Sequence, residues 1–396
     1  MIYLFTTFKV KSKGQIEGDK LLVPKLRFKE FKNEWNEITL KKLLSFKNGI
    51  NGDKDSYGYG IKYISVGDIL NNTYITYDKI KGLIDINDKT LKENSVEYGD
   101  MVFQRSSETF NDIGQANVYL DKKQIATFGG FVIRGKKIGN YNPLFFNYLL
   151  KSPCNRKKVI VKGAGAQHYN ISQEELEKIK VNFTVEKEQV KIANLFYSLD
   201  KKIELQQRKI EALKIYKKGL IQELFGFNTF YEKKLEDICN ITTGKLDANA
   251  MTLNGEYRFY TCAKEYYRIN IYAFDTEALL ISGNGAYVGY IHYYKGKFNA
   301  YQRTYVLDKF SENILYIKYY LDTFLAKRIL AERKEGNTPY IVLNTLAKMP
   351  IIFPSSKVQN QIVSTLIKFD TKLDLENKKL DKLHIIKKSL LQQMFI

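Results

Sequence analysis

Two stretches of the chain carry a helical pattern of apolar positions far longer than most globular helices. In the first, Ile192, Leu199, Leu213 and Leu220 fall at multiples of seven residues, and Phe196, Ile203, Ile210 and Leu224 fill positions four residues further on. In the second, Ile362, Phe369, Leu383 and Leu390 repeat that spacing beside Leu366, Leu373, Leu380 and Met394. Steps of three and four residues return to the same side of a helix, so each set forms one continuous stripe. No proline interrupts either run, and Gly219 is the only glycine inside them. Each stretch therefore predicts a helix of roughly 37 residues, about 55 Å at 1.5 Å per residue. A stripe of this length needs a partner, and each helix is the obvious partner of the other.

The two stretches are copies. Setting Gln189–Phe225 on Gln359–Phe395, an offset of 170, needs no gap and leaves Gln189, Ile192, Asp200, Lys202, Leu205, Lys209, Leu213, Ile215, Lys217, Lys218, Leu220, Gln222 and Phe225 identical. Gln206 and Glu376 break the stripe at matching places. If the helices pair antiparallel about a pseudo-twofold axis, these two residues come close and form a polar layer that fixes register. The other reading puts both at the edge of the stripe. Ser356 and Gln359 have the spacing of a capping box at the start of the second helix.

The segments before the helices repeat as well. Trp35 aligns with Tyr231, and Lys62–Val66 with Arg258–Cys262, both at an offset of 196; Gly99–Phe103 then aligns with Glu277–Ile281 at 178. The second copy has thus lost 26 residues by the time the offset reaches 170, mostly between its first strands. Short β-rich runs recur at Gln115–Leu120, Phe131–Arg134, Tyr287–Tyr294 and Thr304–Leu307, each set followed by a short helix, Pro143–Lys151 or Asn313–Leu321. The fold class expected is α+β: two globular domains, each followed by a long helix, the helices pairing as an antiparallel coiled coil. The expected boundaries are an N-terminal extension at 1–22, a first domain at 23–184, a central helix at 185–226, a second domain at 227–354 and a distal helix at 355–396. The helix-pair interface should comprise the stripe from Ile192 through Leu199 and Leu213 to Leu220 with Phe196, Ile203, Gln206 and Ile210. It should meet Ile362, Leu366, Phe369, Leu373, Glu376, Leu380, Leu383 and Leu390.

Composition adds a polyanionic partner. The formal charge is +20 on 396 residues, and neutralising phosphates rewards a lysine-rich surface through counterion release. With 44% hydrophobic residues the chain has ample material for two cores, so disorder is excluded as its general state. Cys154, Cys239 and Cys262 are far apart, and His168, His292 and His384 share no ligand spacing with them. Neither a disulfide framework nor a metal site is expected, and the reduced cytoplasm is the compartment that fits. The apolar start, Met1–Phe8, is too short to span a membrane and its charges follow rather than precede it, so no membrane partner and no leader are expected.

With the duplication in place, the chain resembles the specificity subunits of Type I restriction-modification systems, from Val23 nearly to its end. The resemblance rests on Val23-Pro-Lys-Leu-Arg-Phe28 running to Glu34-Trp35, on Glu188-Gln-Val-Lys-Ile192 followed by Leu199-Asp200-x-x-Ile203, and on Lys217-Lys-Gly-Leu-Ile-Gln-Glu-Leu-Phe225 with its echo Lys387-Lys-Ser-Leu-Leu-Gln-Gln-Met-Phe395. It departs at Phe369-Asp370, where the family pattern has Leu-Asp, and in residues 1–20, which precede the family's usual start. The resemblance implies two target-recognition domains, each reading one half of a split, asymmetric site on double-stranded DNA. It also implies helices that set the distance between the halves and dock two methyltransferase (modification) subunits, with motor-nuclease (restriction) subunits joining for cleavage.

No catalytic residue and no cofactor are expected. Asn142-Pro143-Leu144-Phe145 faintly echoes the adenine-gripping motif of amino-methyltransferases, but Asn142 as a cap and Pro143 as the first helical residue account for it. No Walker loop, no clustered carboxylates of nuclease type and no serine elbow occur. Candidate DNA readers are polar and basic residues near predicted turns: Gln104, Arg105, Ser106, Arg134, Lys162, Gln167 and Tyr169 in the first domain, and Lys245, Asn284, Tyr287, Gln302 and Arg303 in the second. Arginine can grip guanine, and glutamine adenine, through two hydrogen bonds at once. A competing reading makes the chain a coiled-coil scaffold whose basic charge is incidental.

Overall fold

The computed structural model describes residues 5–7, 22–165, 168–226, 231–332 and 340–396. They form two compact units, Met1–Gln207 with Lys378–Ile396, and Arg208–Asn377.

The first unit opens with β1 (Phe5–Thr7), paired antiparallel with β2 (Leu26–Phe28), then β3 (Asn36–Thr39), β4 (Leu44–Asn48) and β5 (Tyr57–Ile64). α1 (Val66–Asn71), β6 (Gly82–Ile84) and α2 (Asp88–Glu93) precede β7 (Met101–Gln104), β8 (Ser106–Ser107), β9 (Ala116–Val118), β10 (Thr127–Phe128) and β11 (Val132–Lys137). α3 (Pro143–Lys151), α4 (Pro153–Ile160), β12 (Tyr169–Asn170), α5 (Gln173–Glu177) and β13 (Lys180–Phe183) lead into the long α6 (Glu186–Leu224). The main sheet has the order β4-β11-β7-β9. One face packs Met101, Phe103 and Ile133 against α3; the other lays Val102 and Val132 on a second cluster with Ile64, Ile69, Ile75 and Ile80.

The second unit repeats this plan with β14 (Tyr231–Lys234), β15 (Asn240–Thr243), β16 (Tyr257–Tyr260), β17 (Tyr267–Ile269), β18 (Phe274–Ser282), β19 (Ile291–Ala300) and β20 (Thr304–Asp308). α7 (Ile314–Glu332), α8 (Leu343–Ala347) and β21 (Pro350–Phe353) precede α9 (Ser356–Gln393). Here one six-stranded sheet has the order β15-β20-β18-β19-β16-β17. The shortening falls where α1 and α2 stand in the first domain, between β16 and β18. Without those helices the sheet face is filled by larger side chains: Phe274 stacks on Phe298 at 5.1 Å, and the Arg258 guanidinium lies 4.4 Å from the rings of both Tyr266 and Tyr294.

Three details differ from the sequence reading. Asn36 pairs with Phe183 as Tyr231 pairs with Phe353, so the first strands match at an offset of 195, not 196. Trp35 therefore has no counterpart at Tyr231; a slip of one residue reverses which side of a strand faces inward, and Trp35 is buried while Tyr231 is exposed. The helix expected at Asn313–Leu321 runs on to Glu332 because Leu321, Leu325 and Ile329 continue its buried side. Gln359 does not cap α9 with Ser356: its amide donates to the carbonyl of Pro354 at 3.1 Å and to Glu312 at 3.0 Å. Its copy Gln189 likewise donates to the Thr184 carbonyl at 2.7 Å and accepts from the Asn142 N–H at 2.9 Å, so the repeated glutamine ties the long helix to the short one before it.

The two long helices pair antiparallel within each unit. In the second, Lys209 bonds Glu376 at 2.9 Å and Lys217 pairs with Asp370, so eight residues forward on α6 go with six backward on α9. In the first, Lys387 bonds Asp200 at 2.5 Å while Phe196 meets Phe395 at 5.8 Å between ring centroids. Asp200 and Asp370 also accept from the hydroxyls of Tyr148 and Tyr319, at 2.7 and 2.6 Å, so both copies build the same Asp–Lys–Tyr cluster. Along the stripe Ile192, Phe196, Leu199, Ile203 and Ile210 are buried, as are Ile362, Leu366 and Glu376. Gln206, Leu213, Leu220, Phe369, Leu373, Leu380, Leu383 and Leu390 are half-buried.

The ends of the stripes pack on the globular domains rather than only on each other. Ile192 and Phe196 join the first core together with Met394 and Phe395 from the end of the chain. Phe395 sits 6.2 Å from Trp35 and 5.8 Å from Phe145, edge-on to the one and tilted to the other. In the second core Ile362 and Leu366 meet Leu220, Ile221, Leu224 and Phe225. Each domain is thus closed by the start of one long helix and the end of the other. The family-like segments at Arg27 and Glu188 are likewise one contact: the guanidinium binds the carboxylate through two bonds of 2.7 Å with both side chains buried.

Phe395→Ala should cost about 3–5 kcal/mol, because the ring leaves a cavity between three aromatics. Hydrogen exchange should then rise in β7 and β11; the matching Phe225→Ala should raise it in β18 and β20 instead. Arg27→Met alone should cost about 3–5 kcal/mol by stranding a buried carboxylate. Adding Glu188→Leu should recover most of that loss in thermal melting, since an apolar pair replaces a buried ion pair at little cost.

Candidate nucleic-acid interface

The repeated strands bring one set of loops to the same end of both sheets. In the first domain the Gln104 N–H donates to Gln115 at 2.8 Å, Arg105 to the Phe131 carbonyl at 2.9 Å, and Ile171 to the Arg105 carbonyl at 3.0 Å. The second domain makes the same three bonds: Ser282 to Tyr290 at 2.9 Å, Gly283 to Arg303 at 2.9 Å, and Ile341 to Gly283 at 2.7 Å. A further bridge joins Ser106 to Asn170 and Asn284 to Tyr340. The backbone frame of the two rims is therefore shared, position by position.

Close backbone approach fixes the loop on the other side of each rim. A side chain on Gly49 would put its Cβ 2.0 Å from the Gly129 carbonyl oxygen, and one on Gly244 would put it 1.9 Å from that of Ala300. Only glycine lets the segments after β4 and β15 lie against the turns before β11 and β20. Asn51 then covers Gly130, while Lys245 and Gln302 stand exposed at the matching edge of the second domain.

Of the candidate readers, Arg105, Lys245, Tyr287, Gln302 and Arg303 are exposed on these rims. Arg105 Nη1 lies 3.3 Å from the Gly130 carbonyl, and the Tyr287 ring has Lys264 5.2 Å from its centroid. Ser106, Lys162, Tyr169 and Asn284 are half-buried and engaged. The Ser106 hydroxyl donates to Asn170 at 2.5 Å, Lys162 pairs with Glu175 at 2.9 Å, and Tyr169 meets the Phe110 ring at 5.3 Å. Hydrogen bonds from Lys178 and then Lys162 hold the Glu175 carboxyl below its ordinary value. Gln167 lies outside the described residues.

Two candidates are removed by burial. Arg134 is inside the domain, donating to the Ser95 carbonyl with its guanidinium 5.5 Å from the Phe128 ring centroid; burial opposes its charge, so its pKa is lowered. Gln104 is buried at the end of β7, with its amide on the Ser106 carbonyl at 2.9 Å. Both follow apolar strand residues, and the alternation that turns a side chain outward cannot be read where both faces of a sheet are covered. Phe131, 66% exposed beside Arg105, was not a candidate, since an aromatic in a β-rich run reads as core. Asn170 was missed as well, its place on the rim being set by pairing with β8.

No group of three or more His, Cys, Asp or Glu among the described residues is placed to hold a metal ion. Burial, helped by Asp308, pushes the Cys239 thiol up to about 12, which leaves no thiolate for nucleophilic work near neutral pH. Asn142 caps α3 by accepting from the Phe145 N–H at 3.0 Å, with Pro143 as its first residue, so the methyltransferase echo is a helix start. No described helix is long and apolar enough to cross a membrane.

A family model described as the Type I restriction modification DNA specificity domain matches the chain twice, over residues 32–214 and 228–384. The chain belongs to this specificity-domain family. Among curated members, it is 38% identical over 133 residues to the specificity subunit of the Type I restriction enzyme EcoDI from Escherichia coli, covering 34% of this chain and 29% of that one. It is 27% identical over 214 residues to the putative specificity subunit MjaX from Methanocaldococcus jannaschii, covering 52% of this chain and 49% of the other. These matches thus span between about a quarter and half of the relatives' own length. Among solved structures, the S subunit of the M. genitalium Type I restriction-modification system shares the fold at a TM-score of 0.60 and 19% identity, over 94% of this chain and 99% of that one. A chain from a structure of Type I complex assembly and conformational transition matches at 0.61 and 12% identity, over 90% of this chain and 96% of the other.

Because Arg134 is spent on an internal carbonyl, Arg134→Met should lower stability by about 1–3 kcal/mol. Any DNA sequence preference should be unchanged in a binding assay across randomised sites, and a changed preference would return Arg134 to the interface.

Proposed function

We propose that this chain is the non-catalytic sequence-specificity subunit of a Type I restriction-modification complex, reading a bipartite, asymmetric DNA site with one domain per half. The observation that carries the reading is the repeated rim: one backbone frame occurs in both domains of a chain matched twice by the family, and it presents different side chains each time. A constant frame with variable groups is what two half-sites of different sequence require. The residues offered to DNA are Arg105, Ser106, Lys162, Tyr169 and Gln167 from the first domain, and Lys245, Asn284, Tyr287, Gln302 and Arg303 from the second. The paired helices offer their outward faces to two modification subunits, and motor-nuclease subunits join that core. On this reading methyl transfer and cleavage belong to the partners, and the cell interior is where they meet.

Expressed with its modification subunits, the chain should direct adenine methylation to a split motif, one adenine per strand, in a genome-wide map. Exchanging residues 35–183 for the corresponding domain of another family member should alter one half of that motif and leave the other intact. Alteration of both halves would refute the one-domain-per-half assignment. Affinity for a matching duplex should fall steeply between roughly 50 and 200 mM salt, by about 10³ or more if six or more phosphates are neutralised. Binding indifferent to salt would instead favour a scaffold with incidental charge.

A further inference from the structure

We infer that Arg105 and Arg303 are the specificity-determining arginines of the two half-sites, each reading a guanine from the same place in its domain although they come from opposite sides of one backbone hydrogen bond. The inference rests on the DNA-reading function proposed above. In the first domain the residue whose N–H makes that bond is Arg105 and the residue whose carbonyl accepts it is Phe131; in the second the donor is Gly283 and the acceptor Arg303. The arginine has changed strands. A physical reason is visible at Gly283, where a Cβ would fall 2.3 Å from the Arg303 carbonyl oxygen. That position accepts no side chain without a shift of backbone, so the second rim can carry its guanidinium only from across the bond.

Elimination among arginines points the same way. Arg27, Arg134 and Arg156 of the first domain are committed to Glu188, to the Ser95 carbonyl, and to the carbonyls of Gly114 and Ile113. Among the described arginines of the second, Arg258 lies between two tyrosine rings, Arg328 pairs with Glu332 at 3.1 Å, and Arg268 stands on the edge strand β17 rather than on the rim between β18 and β20. Arg105, whose one side-chain bond is from Nη1 to the Gly130 carbonyl at 3.3 Å, and Arg303 are exposed on the rims and in no ion pair among the described residues. A guanidinium presents the fork that matches O6 and N7 of guanine together, which the many lysines cannot do. Their neighbours differ in kind: exposed Phe131 beside Arg105 offers apolar contact, as to a thymine methyl, whereas Gln302 beside Arg303 offers an amide suited to adenine.

The test is a methylation map of the whole complex carrying Arg105→Ala, Arg105→Lys, Arg303→Ala or Arg303→Lys. Each alanine variant should relax one G·C pair in one half, with discrimination there falling roughly five- to 150-fold, while the other half stays unchanged. The lysine variants should relax the same pair, because a point charge does not replace the fork. Exchanging the two side chains within the first rim, Arg105→Phe with Phe131→Arg, should restore discrimination at that pair; failure to restore it would overturn the equivalence of the two places. An unchanged motif with uniformly weaker methylation, recovered by lysine, would assign both arginines to phosphates and overturn the proposal. So would a half-site containing no G·C pair. A wild-type complex that methylates no split motif would instead sink the functional reading beneath it.

Discussion

Two apolar stripes some 38 residues long cannot be covered by one another alone, and the way they are covered organises everything else. Their middles pair, while their ends are taken into the cores of the globular domains. The hydrophobic term is the largest available, about 1.5–3 kcal/mol for each large side chain fully buried. Phe196, Phe395, Leu366 and their neighbours therefore fasten helix to domain more firmly than the ion pairs beside them. The Asp–Lys–Tyr clusters contribute direction rather than bulk energy. Asp200 with Lys387 and Asp370 with Lys217 can form only when the helices run opposite ways and at one register.

That division explains what could be read from the residues in advance. A seven-residue apolar spacing repeated without gaps is a long-range signal, and it specified both helices, their kinship and their pairing. It could not show that Phe225 and Phe395, identical at the ends of the copies, are parts of domain cores, because that depends on which surface the helix end meets. The β-rich segments gave the rough order of the main strands but not the short ones, such as β8, β10 and β12, and the first pair was misaligned by one residue. Neither short strand has a clean alternation to pin its register. The rim was less legible still. Arg105 and Arg303 stood beside turns and proved exposed, while Arg134 and Gln104, equally polar and equally near strands, are buried with internal partners. Phe131 shows the converse, an aromatic turned outward by the turn before β11.

The two rims also show how a recognition surface can vary without loss of fold. Their backbone bonds leave little freedom, and glycine is demanded wherever two strands crowd, at Gly49, Gly244 and Gly283. Loss of α1 and α2 from the second domain has been absorbed on the far side of the sheet by Phe274, Phe298 and the tyrosines around Arg258, and the rim bonds keep the same lengths within a few tenths of an ångström. Change on one side of the sheet and change at its edge are thereby separated.

The seat of Phe395 against Trp35 sets the order of events during synthesis. Trp35 and most of its core leave the ribosome first, yet the ring that completes that core lies 360 positions later in the chain. The rest of that core is complete only once Phe196 is made, 199 positions before Phe395, so at about 5–20 residues per second the first domain waits roughly 10 to 40 seconds for its last part. Through that interval the hollow between Trp35, Phe145 and Phe196 stays open to whatever apolar surface is near. The second domain, closed by helix ends that lie close before and after it, carries no such delay. A chain interrupted in its last turn would therefore fail first in the domain that was made earliest.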